Sequence, residues 1–232
     1  MTCKITDQQW LGQQSPNLVD AGRGHLLHPT VKLAFTAMQQ KAHSDGIDLQ
    51  IVSSFRSFER QLAIFNKKWR GEAVLRDANG EVLDNTTLSN TDKLHAILTW
   101  SALPGASRHH WGTDLDVYDR ESVHQWSGTF ELVEEEYLER GPCYLLACWL
   151  EENMAEFGFF RPFSKNNGGV AREPWHLSHK AVSIDFEQSR NLEAFTSALL
   201  QSDILGKETV LANLPYLFNR YVLNKGISNK SR

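Results

Sequence analysis

The sequence predicts a mixed α+β fold, with helices packed around a small, mainly antiparallel sheet. Three observations predict it. Apolar residues recur at the helical period in several stretches, as at Val31, Ala34, Phe35 and Met38. Short alternating or β-branched runs, Asp48 to Phe55 and Thr113 to Tyr118, fall between those stretches. The residues with metal-ligating chemistry gather on or beside the short runs rather than on the helices.

Taken in order, residues 1–28 read as an irregular lead-in, with Gly22 and Gly24 beside polar neighbours. His28-Pro29 opens a helix from Thr30 to about Ser44, which Asp45-Gly46 stops. Asp48 to Phe55 reads as a strand. Ser57 caps the next helix, which carries Glu59 in its first turn and runs to about Trp69, burying Leu62, Phe65 and Trp69. Residues 70–90 read as a surface hairpin turning at Asn79-Gly80, and a short helix near Thr91 to Trp100 follows.

Thr113 to Tyr118 alternates as a strand, and the acidic run Glu131 to Glu139 reads as a solvated helical face. Pro142 to Phe157 is an amphipathic helix ended by Gly158. Short strands at Phe159 to Pro162 and Trp175 to Ser178 flank a polar loop, Ser164 to Gly169. Ser183 to Gln201 and Glu208 to Leu223 are helical. The expected organisation is a lead-in over 1–29, a core over 30–180, and a helical extension over 181–232 packed on that core.

At 232 residues the chain is long for one domain and short for two. A net charge of -4 gives no electrostatic reason to expect nucleic acid or an anionic membrane. No run approaches the roughly 20 apolar residues of a membrane span, and the first ten residues lack the apolar core of a signal peptide. Cys3, Cys143 and Cys148 have no zinc-ribbon spacing and read as free buried thiols. These features lead us to expect a cytoplasmic protein.

The stretch Ser107-Arg-His-His-Trp-Gly-Thr-Asp-Leu-Asp116 sets His109 and Asp116 seven positions apart, with Gly112 between them to let the backbone turn. Glu173-Pro174-Trp175-His176 adds a second imidazole with an acid three positions before it. Two His and one carboxylate form a protein ligand set for a catalytic Zn²⁺ whose fourth position is left to water. The remaining acid, Glu173, is then the natural general base for that water. Pro174 keeps this segment out of a helix interior, and the chain has no His-Glu-x-x-His, so the pattern is not a helical zincin motif. On a strand, Asp114 shares a face with Asp116.

Ser107-x-His109-x-x-Gly112-x-x-x-Asp116 with Glu173-x-Trp175-His176 resembles the zinc D-alanyl-D-alanine carboxypeptidase family, which includes the vancomycin-resistance carboxypeptidases and dipeptidases. That family is related in fold to lysostaphin and to the signalling domain of hedgehog. Ser53-Ser54-Phe55-Arg56-Ser57-x-x-x-Gln61 is similar to a third family element, so the resemblance spans roughly Thr30 to Ser178. It implies that His109, Asp116 and His176 hold zinc and that Glu173 moves the proton from the attacking water to the leaving amine. Arg56 would pair the substrate's terminal carboxylate or polarise the scissile carbonyl. Ser107 and Gln61 would hydrogen-bond the substrate.

The chain departs from the family at Asp114, where Ala is usual. Asp114 is expected either to orient a ligand His or an Arg, or to recognise a cationic group on the substrate. His110 and His179 are expected to be structural, and Trp111 and Trp175 to wall the cleft. The implied substrates are peptidoglycan stem peptides or muropeptides. The expected reaction is an L,D-carboxypeptidase step that removes terminal D-Ala from tetrapeptides in cell-wall recycling. A D,D-carboxypeptidase, a D-Ala-D-Ala dipeptidase and a non-catalytic zinc or peptide-binding module are the alternatives.

Overall fold

The computed structural model describes residues 4–227. Its centre is a four-stranded antiparallel sheet in the order β3-β6-β8-β7: β3 Leu49–Ser53, β6 Asp114–Asp119, β8 His176–His179 and β7 Phe159–Phe160. Side chains alternate across a strand, and here the alternation separates two chemistries. Leu115, Val117 and Leu177 turn to an apolar cluster formed with α2 (Pro29–Ser44) and α6 (Tyr144–Asn153), through residues such as Phe35, Met38 and Leu150. Asp114, Asp116, His176 and Ser178 turn the other way and are also buried. A polar sheet face under cover, rather than one facing water, is the mark of a built site.

The second apolar cluster joins α3 (Phe58–Trp69) and α4 (Asn90–Trp100) to the C-terminal helices α7 (Lys180–Ser189), α8 (Leu192–Gln201), α9 (Lys207–Ala212) and α10 (Leu214–Leu217). Phe65, Ile97, Phe195, Leu199 and Leu217 lie at its centre. Ser57 caps α3 as the sequence suggests, accepting from Arg60 N at 3.2 Å. Within α3, Phe58, Gln61 and Phe65 are the buried residues, while Leu62 and Trp69 are only partly covered. No helix among the described residues is long and apolar enough to cross a membrane.

Several expectations are corrected. The described part of the lead-in, residues 4–28, is not irregular throughout. Thr6 caps a single helical turn, Asp7–Trp10, and Val19–Asp20 pairs antiparallel with Leu26–Leu27. Trp10 and Leu11 are buried in the second cluster, and Trp10 O accepts from Trp111 Nε1 at 3.0 Å. One turn of helix is too short to show a period, so the sequence pattern could not reveal it.

The acidic run is not a solvated helical face either. Its only helical part is a 3₁₀ turn, Glu134–Tyr137, and Glu136 is buried there, accepting from Glu131 N at 2.7 Å and Val133 N at 2.9 Å. Glu131 pairs with Arg76 at 2.6 Å, and Glu134 with Arg172. Of the thiols, Cys143 is buried but Cys148 is exposed, and Cys3 lies outside the described residues. The 70–90 hairpin pairs Leu75–Arg76 with Val82–Leu83, across a loop organised by the Asp77 carboxylate rather than by a two-residue turn.

Candidate metal centre

His109 stands in a 3₁₀ turn, Arg108–Trp111, that ends at Gly112 with φ +67°. The left-handed backbone demands glycine there, while an added Cβ would meet only the movable tip of Leu18 at 2.4 Å and His28 N at 3.3 Å. The turn delivers the chain into β6, where Asp116 pairs across the sheet with His176 of β8. Glu173 sits in the approach to β8, its backbone N–H bonded to Phe163 O at 3.0 Å.

The side chains converge. His109 Nε2 lies 3.3 Å from Asp116 Oδ2, and His176 Nδ1 lies 3.1 Å from Asp116 Oδ1. Glu173 Oε2 is 3.2 Å from the same His176 nitrogen. One ligand atom from each of His109, Asp116 and His176 falls within 4.8 Å of the others. Asp116 Oδ1 is buried without a hydrogen-bond partner; its approach to His176 lacks the alignment of a bond. Buried donors crowded round one point and left unsatisfied by the protein fit a metal ion.

Electrostatics agree. Burial lowers His109 to about 4, reinforced by the Arg56 charge, so its imidazole is neutral as a metal ligand must be. Burial would raise Asp116, but His109 and His176 hold it well below the usual carboxylate range. Burial also lowers His176, yet Asp114, Asp116 and Glu173 together push it well above the ordinary imidazole range. Three carboxylates around one ring call for a cation. Burial raises Glu173, which keeps its carboxyl basic enough to take a proton.

The sequence-predicted residues divide into two groups. His109, Asp116, Glu173, His176, Arg56, Ser107 and Trp175 all line one cavity of about 790 Å³. Trp175 stacks on Trp100 along its wall, with ring centroids 6.5 Å apart. Arg56 Nε is buried without a partner. The Arg56 carbonyl accepts from His110 Nδ1 at 2.6 Å, while His110 Nε2 accepts from Gly105 N at 3.1 Å. Those two bonds fix the tautomer, so His110 is structural and holds the Arg56 backbone.

The remaining residues are elsewhere. Gln61 is fully buried and does not line the cavity; its Nε2 donates to Ala102 O at 2.8 Å, while its Oε1 is buried without a hydrogen-bond partner. Asp114 is also fully buried, bonded to His176 Nε2 at 2.9 Å and Arg108 Nε at 2.7 Å, which removes it from substrate contact. Trp111 is buried beneath Arg108, whose guanidinium carbon lies 4.7 Å from the ring centroid, and does not wall the cleft.

Sequence reasoning missed further lining residues: Lys68, Glu187, Arg190, Tyr221 and Asn224. Lys68 carried a signal, since it lies seven positions after Gln61 on the buried stripe of α3. The others come from the C-terminal helices and the segments just after them, and carry no motif.

A sheet and the turn leading into it that together present two imidazoles and a carboxylate to a cavity, with a spare carboxylate beside them, define the class of single-metal hydrolase centres. The chain belongs to the VanY D-alanyl-D-alanine carboxypeptidase family, whose model matches residues 24–182. It is 32% identical over 127 residues to an uncharacterized protein of Haemophilus influenzae, covering 54% of this chain and 96% of that one. Its fold is similar to that of a mutant vancomycin-resistance D,D-pentapeptidase VanY in complex with Zn(II): TM-score 0.52 at 22% identity, covering 77% of this chain and 86% of that one. It is equally similar to the LdcB LD-carboxypeptidase, with TM-score 0.53 at 23% identity and 79% of both chains covered.

Proposed function

We propose that this protein is a zinc carboxypeptidase of peptidoglycan stem peptides. The observation that carries the reading is Glu173: a buried carboxylate beside a complete ligand set, 3.2 Å from the metal-facing nitrogen of His176, in the cavity that also holds Arg56. His109 Nε2, Asp116 and His176 Nδ1 would hold the ion. Bound zinc supplies Lewis-acid polarisation of the scissile carbonyl and acidifies the attacking water.

The chain's own residues do the rest. Glu173 accepts the proton of the attacking water and returns it to the leaving amine, a role suited to a carboxyl whose proton affinity burial has raised. The Arg56 guanidinium, with Nε free of any internal partner, pairs the substrate's terminal carboxylate or polarises the scissile carbonyl. Ser107 and the Trp175 wall border the peptide.

For the reaction itself we infer the L,D step, removal of D-Ala from tetrapeptides. This follows if the protein works in the cytoplasm, where trimming pentapeptide would destroy wall precursors and trimming recycled tetrapeptide would not. The family's own description, a D-alanyl-D-alanine carboxypeptidase, favours the D,D step as the second reading. The two solved relatives divide between those reactions at nearly equal likeness.

The test is mass spectrometry of products after incubating zinc-loaded protein with tetrapeptide and pentapeptide stems side by side. Loss of one alanine from tetrapeptide alone supports the L,D reading, and loss from pentapeptide alone overturns it in favour of the D,D one. With Glu173→Ala we expect zinc to stay and turnover to fall about 10²–10⁴-fold, the usual worth of a general base. No product from either stem would bring forward a non-catalytic binding module.

A further inference from the structure

His176 is oriented by a chain of charged groups that leaves the metal centre and ends on a C-terminal helix. Its Nε2–H donates to Asp114 Oδ1 at 2.9 Å. The same oxygen accepts from Arg108 Nε at 2.7 Å, and Arg108 Nη1 donates to Glu187 Oε1, also at 2.7 Å. Arg108 Nη2 reaches Ser178 Oγ at 2.7 Å, so three edges of one guanidinium are fixed while its face lies on Trp111. Glu187 belongs to α7, beyond residue 182 where the family match ends.

We propose that Glu187 is a positioning residue for the metal ligand His176, which makes the C-terminal helix α7 a working part of the metal centre. The inference rests on the zinc reading given above. Its argument is one of shared charge. Asp114 must serve two donors on one oxygen, the imidazole and the guanidinium. Paired with Arg108 alone, its carboxylate would be neutralised, and the His176 N–H would face a weakened acceptor. Glu187 takes the other side of the guanidinium and leaves the Glu187–Arg108–Asp114 set with one net negative charge for the imidazole.

A carboxylate bonded to the far nitrogen of a ligand His fixes its tautomer and raises its basicity toward the metal. His109 has no such support, because its Nδ1 is buried without a partner. Orientation of the ligand set therefore falls on His176, and through it on Glu187. A salt bridge that merely fastens α7 to the core would predict lower stability with unchanged metal chemistry.

The experiment is the rate at which zinc-loaded, full-length protein gives up zinc to a chromogenic chelator. Wild type is compared with Glu187→Gln, Asp114→Asn and the double variant, and melting of each metal-free protein checks folding. Outer partners of metal ligands are typically worth 10–100-fold, so we expect roughly 10–100-fold faster release from Asp114→Asn and about tenfold from Glu187→Gln. The double variant should be no faster than Asp114→Asn, because both act through one chain.

Cobalt-substituted protein should show a shifted visible spectrum in both single variants. Release from Glu187→Gln at the wild-type rate overturns the inference while leaving the zinc site intact. A wild type that holds no zinc overturns the metal reading itself. Should Glu187→Gln fail to fold, Arg108→Lys keeps the charge without the bridging fork; it too must speed release, and a wild-type rate there overturns the proposal.

Discussion

Gly12 lies far from the metal ligands in sequence, yet the structure ties it to Arg56, which lines the cavity beside them. Its φ is +75°, and a Cβ built there would stand 2.4 Å from His110 Nδ1 and 2.5 Å from Cγ. That same Nδ1 donates to the Arg56 carbonyl, and Gly12 O itself accepts from Phe58 N at 2.8 Å. In Gly12→Ala, a left-handed alanine costs about 1–2 kcal/mol. Displacing the imidazole strands a buried carbonyl for about 1–3 kcal/mol more.

A combined loss of about 3 kcal/mol lowers the melting temperature by roughly 6–12 °C in a protein of this size. Gly22 supplies the control, since its φ is +91° with nothing within 4 Å of an added Cβ. Gly22→Ala should cost only the backbone strain. Thermal melts of the two variants, run together with KM for the stem peptide, read out the difference. Equal melting shifts would refute the link from Gly12 through His110 to Arg56. A larger shift and a raised KM for Gly12→Ala alone would support it.

Two further outcomes are expected. Burial and the Arg56 charge pull the Lys68 ammonium down to about 8, against the pull of Glu173. The unfolded lysine titrates near 10.4. Between these values the unfolded chain binds more protons, so Lys68 makes stability rise with pH across the window, and its penalty is full below about 8. Lys68→Met should therefore gain on wild type most near pH 7.5 and least near pH 10, read from denaturant midpoints; a constant gap would show the ammonium is not strained. For the metal, zinc at about a thousand times its Kd should add about 4 kcal/mol, or roughly 8–16 °C. A chelator should reverse this gain and His109→Ala should abolish it; a melt indifferent to zinc would count against the site.

The metal ligands were legible because strand alternation and local spacing already place them. Asp116 and His176 sit on short strands that must turn them to one face, and Gly112 marks the turn that brings His109 alongside. Asp114 was legible only to the level of its face. Its partner Arg108 stands inside the same ten-residue stretch, but the other carboxylate that Arg108 binds, Glu187, arrives from a helix 79 positions away from Arg108. Such a contact leaves no periodic trace.

Gln61 shows the reverse case, a contact that spacing alone does not reveal. The resemblance gave it a substrate role, whereas here its Nε2 donates to the Ala102 carbonyl and the side chain is buried away from the cavity lining. Glu136 was read as solvated because charge runs usually are; it is buried while accepting from the backbone N–H groups of Glu131 and Val133, just ahead of its 3₁₀ turn. The cavity wall from α7 and the residues after α10 could not be foreseen, since its lining residues match no pattern and are assembled by tertiary packing alone.

The antiparallel pairing of β6 with β8 sets Asp116 opposite His176 and Asp114 opposite Ser178. Slipping β8 by one residue would turn His176 into the apolar cluster and bring Leu177 to the ion. The ligand set is complete in a single register. A metal ion captured there thus adds its binding free energy only to chains whose sheet is already paired correctly. The ion is in this sense a proofreader of strand alignment: it discriminates between two pairings that hydrophobic burial also tells apart, and the two criteria select the same one.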